Sequence, residues 1–416
     1  MKALAPRHMA TTFPHSVPAL RVRQPMGEYF VVVLPAELLL RVAYSDRLSA
    51  RISADGQSYE LEGTQRLLQP KRLNAIADYI NRSDAAFPNT IILAANIRPE
   101  DGLSEGEDPD DDRAQANASR RWTIQEGDKG HVLTIPTGDK LAAVIDGQHR
   151  LFAFAEAREQ RYEMELICSV FLDLPKPYQA QLFATINSTQ KPVDKSLTYE
   201  LFGYNIDEEP EDHWSPDKLA VFLTRRLHVD EELMSPLRGR ISIAPIKDQP
   251  LEKLQESAEW RVSTAVVVEG IMRLITTNPK KDTSDLLDGS RKPRSALRGL
   301  RKDRSPLRDV YLDNQDKILY TIVINYLKAC EKLFWASAAK DSFITRTVGF
   351  QALFDVLRRH LAKSSYDSKN ISVTYFGDAL EPASKLNFAD DIYRSASGAG
   401  RTAIRKAIEG AMGVTA

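Results

Sequence analysis

The chain has 416 residues, 43% of them hydrophobic and 27% charged, which is ordinary globular composition and long enough for two or three domains. Two cysteines exclude a disulfide scaffold and a four-cysteine zinc site. A formal charge of −1 means that only a local patch, not overall charge, could attract nucleic acid.

Residues 1–25 are rich in Pro, Thr and basic residues and read as a flexible N-terminal arm without the apolar core of a signal peptide. Tyr29–Leu34 reads as a buried strand and Ala36–Ser45 as a short helix. A polar turn at Asp55-Gly-Gln57 separates two extended pieces. Leu73, Ile76, Ala77 and Ile80 recur at helical spacing, so Leu68–Asn81 is predicted as a helix with Pro70 in its first turn. Phe87–Ala95 follows as a strand. Residues 100–112 hold eight acidic positions and read as a disordered acidic loop, 100–113, rather than a metal site. Residues 120–135 alternate as a hairpin around Gly127–Gly130.

Leu141–Ile145 is a short apolar strand that leads through Asp146-Gly147 into a helix from about Gln148 to Gln160. Leu166–Leu172 reads as a strand, and Tyr178–Asn187 and Lys195–Phe202 as helices. The Pro/Asp/Glu-rich stretch 205–216 marks a domain boundary. Beyond it, amphipathic helices are predicted at Lys218–Leu227, Val262–Thr276, Asp316–Ser337 and Thr345–Leu361. The fold expectation is an α/β (α+β) N-terminal domain, 26–205, followed by a mostly α-helical domain, 215–416. No run of about 18 apolar residues is present, so no transmembrane helix is expected.

Asp146-Gly-Gln-His-Arg150 is the most informative segment. A strand ends, a glycine permits a tight turn, and a helix begins at once. Helix N-termini favour anions, and Arg150 in the first turn could grip the same anion with its fork. Gln148 and His149 add donors. The competing reading gives Arg150 a structural role against a nearby carboxylate. The glycine-rich run and lysine of a P-loop are absent. A structural metal is not expected, since the histidines show no ligand spacing.

These residues resemble the DGQHR-domain family, which includes the DndB-type proteins of DNA phosphorothioation clusters. The resemblance extends to Gly63-Thr-Gln-Arg66 with Arg72, Ile76 and Tyr79-Ile80, to Phe87–Leu93, and to Phe183–Val193 with Ser196-Leu197. It implies a ParB/sulfiredoxin-like fold and a role in a bacterial DNA-modification or phage-defence locus. By that likeness Asp146, His149 and Arg150 are the catalytic candidates. Gln148, His149, Arg150, Asn187, Gln190, Lys191, Gln65 and Arg66 are the nucleotide-binding ones. Asp146 would orient the turn or hold Mg²⁺ through water. Asn187 is equally readable as a helix C-cap, Lys191-Pro192 as an exposed turn, and Gln65 and Arg66 as hydrogen-bonding bridges. The cysteine that sulfiredoxin needs before His-Arg is here Gln148, which excludes thiol-based phosphoryl transfer.

Residues 291–308 carry eight basic residues against Asp303. Arg291, Lys292, Arg294, Arg298, Arg301, Lys302 and Arg304 are therefore DNA-binding candidates on a flexible segment. Pairing with the acidic run 100–112 is the alternative. The resulting expectation is a cytoplasmic NTPase, using ATP or GTP with Mg²⁺, that works on DNA with other proteins of its locus and leaves homo-oligomerisation open. The alternative is a non-enzymatic DNA-binding transcriptional regulator of a phosphorothioation-type cluster. A ParB-like nuclease is disfavoured, since no ordered carboxylate cluster could hold two metals.

Overall fold

The computed structural model describes residues 12–46, 49–52, 59–62, 68–97, 119–127, 130–189, 194–202, 209–243, 249–394 and 398–414. The chain divides into two compact units, residues 1–191 and 192–416.

The first unit is built on a mixed eight-stranded sheet. Its strands are β1 (His15–Gln24), β2 (Gly27–Pro35), β3 (Ala43–Tyr44), β6 (Ile91–Ala95), β7 (Thr123–Gly127), β8 (Gly130–Ile135), β9 (Ala142–Asp146) and β10 (Glu165–Leu172). They lie in the order β3-β9-β6-β10-β2-β1-β8-β7. β3 and β9 run parallel, as do β6 and β10; the remaining neighbours are antiparallel. The strands β4 (Ser49–Ile52) and β5 (Tyr59–Glu62) form a separate antiparallel pair.

Side chains alternate across the sheet. Val32, Leu34, Leu93, Val144 and Cys168 face one core with Leu38 and Leu39 of α1 (Ala36–Val42) and Ile80 of α2 (Pro70–Ile80). Leu151 of α3 (Gln148–Phe152) joins the same core. Ala94, Ala143, Ile145 and Phe171 face the opposite side, where Leu182 and Phe183 of α4 (Lys176–Thr189) pack. β9 is thus covered on both faces, which is why its sequence is a continuous apolar run.

Two expectations change here. The flexible arm does not extend to residue 25, because His15–Gln24 is a strand paired with both β2 and β8. The helix expected over Gln148–Gln160 ends at Phe152 and continues as 3₁₀ turns at Ala153–Glu156 and Glu159–Arg161. The acidic loop 100–113 lies outside the described residues.

The second unit is mostly helical, around a core that includes Leu219, Val267, Tyr311, Tyr326 and Phe350. Its longer helices are Pro216–Val229, Thr264–Ile275, Asp316–Cys330, Thr347–Val356 and Gly398–Ala411. Helix Lys195–Phe202 belongs to this unit: Tyr199 packs against its core, and the Ser196 hydroxyl accepts from the Ala265 N–H at 3.3 Å. The division therefore falls ahead of the 205–216 stretch. Among the described residues no helix is long and apolar enough to cross a membrane.

Candidate functional site

The polar turn begins where β9 leaves the sheet. Its pairing with β6 slips by one residue between Ile92 and Leu93, so β9 bulges before Asp146. Bulges re-aim side chains at the end of a ladder. Gly147 follows in the left-handed region, φ 95°. A Cβ there would lie 2.6 Å from Ile91 Cδ1 and 3.2 Å from an Arg150 guanidinium nitrogen. The turn thus requires glycine both for its backbone angle and for the close approach of its neighbours.

The three side chains after the turn are each held. Gln148 is buried, and its Oε1 accepts from the Ser45 hydroxyl at 2.7 Å. His149 is also buried, and its Nε2 accepts from the Gln69 N–H at 3.3 Å. An accepting Nε2 places the ring proton on Nδ1. Burial, and then the charge of Arg72, hold the His149 pKa below its ordinary value. Arg150 donates to Asp146 Oδ2 at 2.7 Å and to the Asn89 carbonyl at 2.8 Å.

The candidates Asp146, Gln148, His149 and Arg150 are therefore brought together, but they bind one another and the adjoining loops. The carboxylate partner of Arg150 is Asp146, one helical turn back. Helix α3 has only five residues, so its dipole is small compared with that of a long helix. Asp146 and Arg150 keep 28% and 20% of their side chains exposed, so a ligand can reach the pair. Asn187 lies inside α4 rather than past its end. Gln65, Arg66, Gln190 and Lys191 lie outside the described residues.

Three partners went unread in the sequence: Ser45, Gln69 and Asn89. All act from loops 61 to 103 residues away along the chain, two of them in part through backbone atoms, which carry no residue-type signal. Cys168 sits in the sheet core as expected, and burial pushes its thiol up to about 12. It is a small hydrophobe and no nucleophile at neutral pH.

The basic segment 291–308 is folded rather than flexible, since its arginines meet carboxylates of the second unit. Arg294 is fully buried, binds Asp316 at 2.6 and 2.8 Å and stacks over Tyr311. That burial removes it from any surface DNA could touch. Arg291 pairs with Glu209, Arg298 with Asp313, and Arg301 with Asp282. Arg308 reaches the same Asp282 at 2.6 and 2.9 Å. Pairing with the acidic run 100–112 lies outside the described residues. Lys302 and Arg304 are exposed and have no carboxylate partner among the described residues.

The bulged strand, the glycine turn and the interlocked Gln-His-Arg set define the first unit as an α/β domain organised around one polar turn. Residues 17–210 match the family model DndB, described as DNA-sulfur modification-associated, and this part of the chain is DndB-like. Comparison with the curated proteins and with the solved structures gives no match.

Proposed function

We propose that the protein is a DNA-contacting, non-catalytic regulator of a DNA-sulfur-modification system, acting in the cytoplasm with other proteins of its locus. The observation that carries this reading is the DndB-like match over residues 17–210. The polar turn supports it, because Asp146, Gln148, His149 and Arg150 are already engaged with protein partners. Such a set stabilises a fold more readily than it receives a substrate.

The test is binding of duplex DNA by the full chain, read by fluorescence anisotropy across a salt series. Binding that weakens as salt rises is the expected result. No binding at low salt to promoter DNA of such a cluster or to random duplex would remove the reading.

A second reading, NTP binding and hydrolysis at the same turn, is favoured by the partial exposure of the Asp146–Arg150 pair. A phosphate could exchange for Asp146 on the Arg150 fork, with Mg²⁺ on the freed carboxylate. ATP, GTP and CTP binding with Mg²⁺, followed by phosphate release, would be compared in wild type and Arg150→Ala. Turnover abolished by the mutation would put this reading first; no binding of any nucleotide would discard it.

A further inference from the structure

The helix Thr347–Val356 continues into a π-helical turn, Leu357–Leu361, with the sequence Leu-Arg-Arg-His-Leu. π turns displace side chains from the regular helical faces and recur at functional sites. Arg359 is exposed there and Arg358 is half-buried. The Arg358 Nε is buried and has no hydrogen-bond partner among the described residues. A buried donor without an acceptor calls for an explanation.

Around it cations outnumber carboxylates. Asp355 is the carboxylate nearest in sequence, but Arg401 of the last helix takes both its oxygens, at 2.6 and 2.5 Å. Glu269 is shared by Lys195 at 3.0 Å and Arg273 at 3.7 Å. Burial lowers the Arg358 pKa most; Asp355 opposes this, and the charges of Arg359, Arg273 and Arg401 lower it further. Helix Thr347–Val356, which runs into the π turn, packs against helix Thr264–Ile275 and helix Gly398–Ala411, so arginines of three elements share one neighbourhood. Guanidinium groups match phosphate oxygens in geometry and charge.

We propose that Arg358, with Arg273, Arg359 and Arg401 around it, holds a phosphate of the DNA backbone. This deepens the DNA reading and rests on it. Within the cluster Arg401 and Arg273 already meet Asp355 and Glu269, as five of the eight basic residues of 291–308 meet carboxylates, but Arg358 and Arg359 have no carboxylate partner among the described residues. Arg359 is exposed beside the half-buried Arg358, so two adjacent forks can take successive contacts on a polymer, whereas a free phosphate needs only one fork.

The experiment measures binding of a fixed duplex by the full chain against salt, for wild type, Arg359→Gln and Arg358→Lys/Arg359→Gln. Circular dichroism confirms that each variant is folded, and the exposed Arg359→Gln keeps the test valid if the double variant is not. Arg359→Gln should flatten the slope of log K against log salt by about 0.9. The double variant should weaken binding about tenfold at moderate salt, the effect of losing one charged contact and one donor. Wild-type DNA binding left unchanged in both variants would overturn this site while leaving the DNA reading in place. No DNA binding by wild type would overturn both. Inorganic phosphate or ATP is the competitor in a parallel arm. Displacement of the duplex by either at sub-millimolar concentration would assign the site to a free phosphate instead.

Discussion

At Gly147 the backbone has φ 95°, and an added methyl would meet Ile91 Cδ1 at 2.6 Å. Gly147→Ala should therefore destabilise the first unit by about 1–3 kcal/mol through backbone strain and overpacking together. Denaturant unfolding measures this; a change within 0.5 kcal/mol, about the scatter of surface substitutions, would mean that the turn relaxes. Two residues on, His149 gives a pH signature. Its folded pKa lies below the ordinary value, because burial and then Arg72 disfavour the charged ring. The unfolded chain therefore binds the proton more readily. The stabilisation is complete above about pH 6.5, the unfolded value, and is lost as pH falls through the lower folded value. Protonation also removes the acceptor that receives the Gln69 N–H. Between pH 7.5 and 5.5 the wild type should lose more unfolding free energy than His149→Gln, whose amide oxygen still accepts but does not titrate. Equal losses would show that His149 does not carry the linkage.

At the scale of elements, the basic segment separates buried from exposed ion pairs. Asp282 is buried and takes Arg308 at 2.6 Å together with Arg301. Removing one member of a buried set strands the others, so Asp282→Ala should cost about 3–5 kcal/mol. Arg298, half-exposed and paired with the half-exposed Asp313, should cost less than about 1 kcal/mol as Arg298→Gln. Thermal melts of the two variants check the contrast, and similar losses would refute the distinction.

The same segment shows what a sequence conceals. Its charge was legible, but its partners Glu209, Asp282, Asp313 and Asp316 come from other elements. A local charge run thus looks free when it is not. Arg273, Arg358, Arg359 and Arg401 gave the opposite error: scattered along the chain, they formed no run to notice. β1 was missed for a different reason. Its partner β2 follows across the two residues Pro25 and Met26, but its Pro18, Arg21 and Arg23 read as arm composition. The hairpin β7–β8 and the strand–turn sequence of β9 were legible because their signals are local. The i, i+4 spacing of Asp146 and Arg150 was readable too, and the structure realises it as an ion pair.

For the whole molecule, a formal charge of −1 supplies no general attraction for DNA. Any affinity has to arise from local clusters, and it will show a shallow salt slope compared with proteins that neutralise many phosphates. Stability is local in the same way. The hydrophobic core around β9 and the one around Tyr311 and Phe350 are separate clusters. Gly147 and Asp282 share no described partner, and each contacts residues of its own unit. Their effects should therefore add. The double variant Gly147→Ala/Asp282→Ala is expected to lose the sum of the single losses to within about 0.5 kcal/mol. Tryptophan fluorescence can follow the two units unequally, since Trp122 lies in the first and Trp214, Trp260 and Trp335 in the second. Asp282→Ala should shift most of the fluorescence transition, and Gly147→Ala only the minor share from Trp122. A coupling above about 1 kcal/mol, or one indivisible transition shifted equally by both variants, would mean that the units unfold as one.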